Sequence, residues 1–296
     1  VLVAKSNVPQ VMMLPESSNR VWGQTKNPWN IARTAGGSTG GEGVLVATGV
    51  SAIGIGTDIG GSLRIPALWC GVCGFLPTQG RLGHEGAVQV TTTNGFGGND
   101  TIFASIGPMA RTADGLELAM RVLASPVSPE RPRGWNRGAV EHWSQRANLR
   151  VAVFSGSDFF DLCPTATRAI DQAVASLREA GHQVRELPGD TIPMAEMVEL
   201  YYGILSAEGG MRSYRRALGS ESLIKEYRSL QQMASMPSLL RASLAPLLPP
   251  RLGLLLRCTG GKSAAEFFAL VSRLKALRER VLKKIFGDAD VLLCPG

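Results

Sequence analysis

An α/β architecture is the fold class this sequence predicts, on three observations. From Arg150 onward, short β-branched runs alternate with segments whose apolar residues recur at helical spacing, the order that builds a sheet covered by helices. Before that point lies much of an enlarged complement of 35 glycines, many between Ala35 and Gly98, where tight turns and close backbone approaches are expected. The third is bulk: 296 residues, 44% apolar and 19% charged, can bury a substantial core in one large domain or two small ones.

Taken in order, residues 1–4 read as a short strand running into a loop, and Val8 to Trp29 is loop-like, punctuated by Asn, Pro and Ser. A glycine-rich turn at Gly36–Gly41 leads into small and branched apolar residues from Glu42 to Ala52, which suit a closely packed buried helix. Ile53 to Ile55 is a short strand, and Ala104 to Arg111 a strand passing into a loop. Thr112 to Ala124 is an amphipathic helix opened by a Thr with Asp114 in its first turn. Pro126 to Gly138, rich in Pro, Arg and Gly, is a linker. Arg150 to Phe154 is a buried strand, Thr165 to Ala180 a helix between Pro164 and Gly181, and Gln183 to Leu187 another strand. A long charged helix spans Ala264 to Phe286, and the end, Asp290 to Gly296, reads as a buried strand entering a turn.

Composition excludes several functions. The net charge is +7, but the Arg and Lys residues are scattered and carry no aromatic-rich basic motif, so nucleic acid is not a partner. A solvated basic surface or attraction to anionic lipid remain. Five cysteines (70, 73, 163, 258 and 294) form no framework, and the single CxxC at Cys70–Cys73 has no second pair or nearby His to make a metal site. They read as small buried thiols in a reduced, intracellular setting. There is no initiator Met and no signal peptide, and both ends are expected to be cut from a longer protein.

Met236 to Arg257 (MPSLLRASLAPLLPPRLGLLLR) is long enough to span a bilayer but is broken by Pro246, Pro249 and Pro250 and carries Arg241, Arg251 and Arg257. Two short amphipathic helices fit better, packed on the core or lying in a membrane interface. The pattern alone leans slightly to the core.

The chemistry points to Ser62. His84, His142 and His182 lack the context of a catalytic base, and no GxSxG elbow exists. Ser62 follows Gly60 and Gly61, whose backbone N–H groups can turn inward as a nest for a developing oxyanion. Its flanks, Asp58 and Arg64, read as an ion pair or backbone clasp that holds the loop.

The stretch from Gly36 to Gly43 (GGSTGGEG), followed by residues 54–78 (GIGTDIGGSLRIPALWCGVCGFLPT), closely resembles the signature of the amidase signature family of serine hydrolases. Residues 6–9 (SNVP), 23–29 (GQTKNPW) and 107–111 (GPMAR) extend the likeness over most of residues 1–125. The resemblance implies a twisted mixed β-sheet covered by helices on both faces, as a single domain over 1–296 incomplete at both ends. It implies a Ser-Ser-Lys triad with Ser62 as nucleophile and Ser38 as the bridging serine in a cis peptide. The N–H groups of Ile59, Gly60, Gly61 and Ser62 are the implied oxyanion hole. The family's lysine belongs to a motif expected upstream of Val1, and Lys5 does not correspond to it. Thr39 replaces a serine of the pattern and is expected to keep its hydrogen bond. No metal or cofactor is implied.

Within the family, residues 7–10 (NVPQ) with Met12, residues 40–43 (GGEG), and above all the leucine-rich stretch resemble the fatty acid amide hydrolase branch. That likeness shifts 236–257 toward a membrane-binding cap, with arginines at its edge and peripheral or monotopic attachment. Met12 and Met13 become candidates for the acyl end of the substrate site, with plain core packing equally open for each. The expected partners are a lipid amide and a membrane surface, with a homodimer left open. The alternatives are a soluble broad-specificity amidase and an inactive membrane-binding homologue.

Overall fold

A computed structural model describes residues 2–83, 101–102, 104–124, 146–157, 159–207 and 218–295. The expected linker 126–138, His84 and His142 lie outside the described residues. The chain divides into two compact units, Val1–Arg137 with Ser213–Arg228, and Gly138–Arg212 with Ser229–Gly296. The fold is a mixed α/β one, and each unit has its own sheet.

In the first unit, β1 (Ser18–Asn19) and β2 (Gly23–Gln24) form a small hairpin. The main sheet has the order β3-β5-β4, from β3 (Ile53–Asp58), β4 (Cys73–Gly74) and β5 (Ser105–Ala110), all antiparallel. Helix α1 (Gly40–Ala47) precedes β3, α2 (Arg64–Cys70) follows it, and α3 (Ala113–Leu123) follows β5. Alternate residues of β5 serve opposite faces: Met109 packs with Leu63 and Ala67 around α2, whereas Ile106 packs against Met120 and Ala124 of the α3 end. The Thr112 side chain caps α3 by accepting from Gly115 N–H.

The second unit holds a parallel sheet, β7-β6-β8, built from β6 (Arg150–Val153), β7 (Gln183–Glu186) and β8 (Val291–Leu293). Helix α4 (Pro164–Glu179), with Pro at its start, joins β6 to β7. Strand β6 alternates again: Val151 and Val153 face Ile170 and Val174 of α4, while Ala152 faces Ile285 of the long helix on the other side. Helices therefore cover both faces, as a parallel sheet requires. The remaining helices are α5 (Met194–Leu205), α6 (Lys225–Ser235), within which the boundary between the units falls, α7 (Ser238–Leu244), α8 (Pro250–Cys258) and α9 (Ala264–Phe286). A capping box, Ser263 with Glu266, opens α9.

Three expectations are corrected. Residues 2–9 form no strand; they run irregularly, with Asn7 bonded to the hairpin through Ser17 O, Gly23 O and Thr25 Oγ1. Helix α1 begins at Gly40 rather than Glu42, because tertiary packing outweighs glycine's poor helix propensity. The thiols are not uniformly buried: Cys70 and Cys258 are, Cys73 is half-buried, and Cys163 and Cys294 are exposed.

Candidate active site

Strand β3 delivers Asp58 to the bottom of the loop that carries Ser62. The Asp58 carboxylate is buried and accepts from Gly61 N–H at 2.7 Å and from the N–H groups of Leu63 and Arg64 at 3.2 Å each. Arg64 adds Nε and Nη2, each at 3.0 Å, while its side chain stays half exposed. Burial pushes the Asp58 carboxyl up, but the Arg64 hydrogen bonds, the Gly61 N–H, the Arg64 charge and the Leu63 N–H outweigh it and hold the group below the usual carboxylate range. The expected clasp is present, and it also satisfies the first donors of α2.

One member of the expected oxyanion hole has a partner within the loop itself. Gly61 N–H donates to Asp58, because a buried carboxylate must be solvated by the nearest donors. The N–H groups of Gly60 and Ser62 have no acceptor among the described residues, and the Ser62 side chain is half-buried.

The second serine lies in a frame of close backbone approaches. The Gly37–Ser38 peptide is cis, and Ser38 is buried. A Cβ at Gly37 would fall 2.6 Å from Glu16 N and 2.7 Å from Leu14 O; one at Gly41 would fall 2.5 Å from Asn7 N. Only glycine admits segments 6–7 and 14–16 at these distances. Thr39 N–H donates to Ser62 O at 2.9 Å and so ties the two serine loops together through the backbone. The Thr39 hydroxyl keeps a long bond, 3.5 Å, to Thr57 O.

Sequence reasoning missed Ser17. Its hydroxyl, fully buried, lies 2.9 Å from Gly36 O and 3.1 Å from Ser38 O, and accepts from Gly40 N–H at 2.8 Å. One oxygen thus touches the backbone on both sides of the Gly37–Ser38 peptide. A lone Ser among loop residues gave no signal of this. Gln10 and Tyr227 were missed too. Gln10 binds Glu221 Oε1, Ser222 O and Ile224 N, and Tyr227 OH accepts from Met13 N–H at 2.8 Å. Burial raises the Tyr227 phenol above its ordinary pKa. These bonds pin the turn carrying Met12, which is 37% exposed, and Met13, which is half-buried; Val11 and Met12 there adopt left-handed φ of 49° and 58°. Leu14, next to Met13, lies against Gly37.

No hydrogen bond joins Ser38 to Ser62, and no lysine bonds to Ser38, among the described residues; Lys5 and Lys26 are exposed. The conjunction of a cis Gly–Ser peptide, a second serine at the end of a glycine nest and a carboxylate clasp beneath it coincides with a family match. The Amidase family model matches residues 1–296. The chain belongs to the amidase signature family. Among curated relatives of this amidase-family chain, fatty-acid amide hydrolase 1 of Sus scrofa is 34% identical over 304 residues, covering 98% of the chain and 50% of the relative. Amidase 1 of Gibberella moniliformis is 33% identical over 244 residues, covering 79% and 45%. A solved fatty acid amide hydrolase structure superposes with a TM-score of 0.76 at 27% identity, covering 98% of this chain and 47% of that one. The chain thus spans about half the length of the relatives it matches.

Proposed function

We propose that this chain carries the two serines of an amidase that hydrolyses fatty acid amides at a membrane surface. The observation that carries the reading is the joined pair of loops, with Ser38 on its cis peptide and Ser62 on its nest, tied by Thr39 N–H and held by Asp58 and Ser17. Ser62 Oγ attacks the amide carbon, and its proton passes to Ser38 Oγ as the proton of Ser38 leaves for a base. The N–H groups of Gly60 and Ser62 hold the oxyanion. The tetrahedral species expels the amine once a proton returns along the same path, leaving an acyl-Ser62 ester that water cleaves. In this reading the base is the lysine that the family resemblance implies, and no lysine bonds to Ser38 among the described residues.

The lipid part of the reading rests on α7, the turn Ala245–Leu247 and α8. Leu239 and Leu247 are 85% and 78% exposed, and Leu240, Leu248 and Leu252 are exposed as well. Such a surface is costly in water and fits an interfacial attachment. No helix of the described residues is long and apolar enough to cross a membrane. One detail of the expected cap is corrected: Arg241 is buried rather than at the edge, while Arg251 is half exposed and pairs with Asp161 at 3.1 Å.

The test is fluorophosphonate labelling of the full-length protein, abolished in Ser62→Ala, followed by hydrolysis of a long-chain fatty acid amide against acetamide. Unlabelled wild type sinks the hydrolase reading. Faster turnover of acetamide favours the second reading, a broad-specificity amidase, which the similarity to Amidase 1 supports.

A further inference from the structure

Arg241 of α7 is 5% exposed, and its guanidinium lies over Gly260, where a Cβ would meet Nη1 at 2.2 Å. Nη1 donates to Met236 O. The buried Nε has no acceptor, and no carboxylate pairs with the group among the described residues. A guanidinium cannot shed its proton to escape this position. With Nη1 engaged, the donors left are Nε and Nη2, the fork that matches two oxygens of one carboxylate or phosphate.

A second cation stands beside it. Lys262 Nζ donates to Cys258 O and Gly260 O, both at 2.9 Å, and is half-buried. Burial first, then the Arg241 charge, hold this ammonium below its ordinary pKa. The nearby carboxylates are otherwise engaged: Glu266 in the box with Ser263, and Glu199 with Arg273. Lys262 feels the Glu266 charge, but Arg241 beside it has no carboxylate partner among the described residues, and an oxyanion would complete its site.

The surroundings indicate its source. Leu239 and Leu240 immediately precede Arg241, and the exposed leucines of the following turn and α8 continue the apolar surface. We propose that Arg241, backed by Lys262, is the receptor for the phosphate of an anionic phospholipid. The lipid source rests on the membrane reading given above; the oxyanion receptor does not. Nε is shielded in the structure, so seating the phosphate requires α7, a seven-residue helix behind Pro237, to shift.

The experiment uses the full-length protein, vesicles of phosphatidylcholine with and without phosphatidic acid, and inorganic phosphate as a separate probe. Wild type should half-saturate at about five-fold lower lipid on the anionic vesicles, the increment of one cation at a charged surface. Arg241→Met should lose that increment, keep its binding to neutral vesicles, and melt higher than wild type in phosphate-free buffer, because an unpaired buried charge is gone. Lys262→Gln should narrow the same gap, and serves if Arg241→Met fails to fold. No vesicle preference, but a phosphate-dependent rise in melting temperature in wild type alone, would keep the oxyanion receptor and discard lipid as its source. Equal responses of wild type and both variants in every arm overturn the proposal, even if the leucines still bind vesicles.

Discussion

Asp58 and Arg64 form a two-point fork, Nε and Nη2 each 3.0 Å from a different carboxylate oxygen, on top of three backbone N–H bonds to the same carboxylate. The backbone bonds are shielded while the guanidinium is half exposed, so the carboxylate should matter more than its ionic partner. Asp58→Asn turns an amide toward donors and should cost about 3 kcal/mol, against about 1 kcal/mol or less for Arg64→Gln. Because the folded pKa of Asp58 is depressed, its contribution is complete above the ordinary value near 4 and is lost as pH falls through the lower folded value. Urea denaturation across pH 2–6 should therefore show an acid loss in wild type that is reduced in Asp58→Asn.

Ser17 is expected to behave as a positioning residue for Ser38. Ser17→Ala strands Gly40 N–H and removes the donor to Gly36 O or Ser38 O, at about 2 kcal/mol in a fully buried site. Fluorophosphonate labelling of Ser62 should slow while binding of a reversible amide analogue is little changed. Ser18→Ala, next door and half-buried, should stay within about 0.5 kcal/mol of wild type and label normally.

Thr39 and Gly56 should be energetically coupled. A Cβ at Gly56 would meet Thr39 Cγ2 at 2.4 Å and Oγ1 at 2.6 Å, so Gly56→Ala should destabilise by about 2 kcal/mol through overpacking. Thr39→Ser removes the methyl. The double variant should recover part of the loss, a coupling of about 0.5–1 kcal/mol in a double-mutant cycle.

How much of this was legible depended on how local each signal was. The α3 cap, the Pro164 start of α4, the break of 236–257 at its prolines and the Asp58–Arg64 clasp all rest on residues close in sequence, and each was readable. The motif stretches 36–43 and 54–78 carried the resemblance to the family. Ser17, Gln10 and Tyr227 were not readable, because their partners lie as far as 214 residues away or are backbone atoms that any residue type offers. The burial of Arg241 was hidden for the opposite reason: an arginine among leucines looks like a surface residue until the close approach of its guanidinium to Gly260 is seen. Gly61 shows a third limit of the sequence: which acceptor its N–H meets depends on where the neighbouring carboxylate is buried.

The exposed leucines give the last prediction. Leu239 and Leu247 bury little surface, so replacing both by Gln should leave folding stability within about 0.5 kcal/mol per site. If these residues enter a lipid interface, each side chain withdraws apolar area worth about 2 kcal/mol from water, and the double variant should bind neutral vesicles at least ten-fold more weakly. Labelling of Ser62 in detergent should be unchanged, because the substitutions are distant in sequence from the two serine loops and bond to neither. A double variant that unfolds would instead mean that these leucines pack within the protein. Co-sedimentation and chemical denaturation on the same preparation separate the two outcomes, since interfacial leucines change only the first and packed leucines change both.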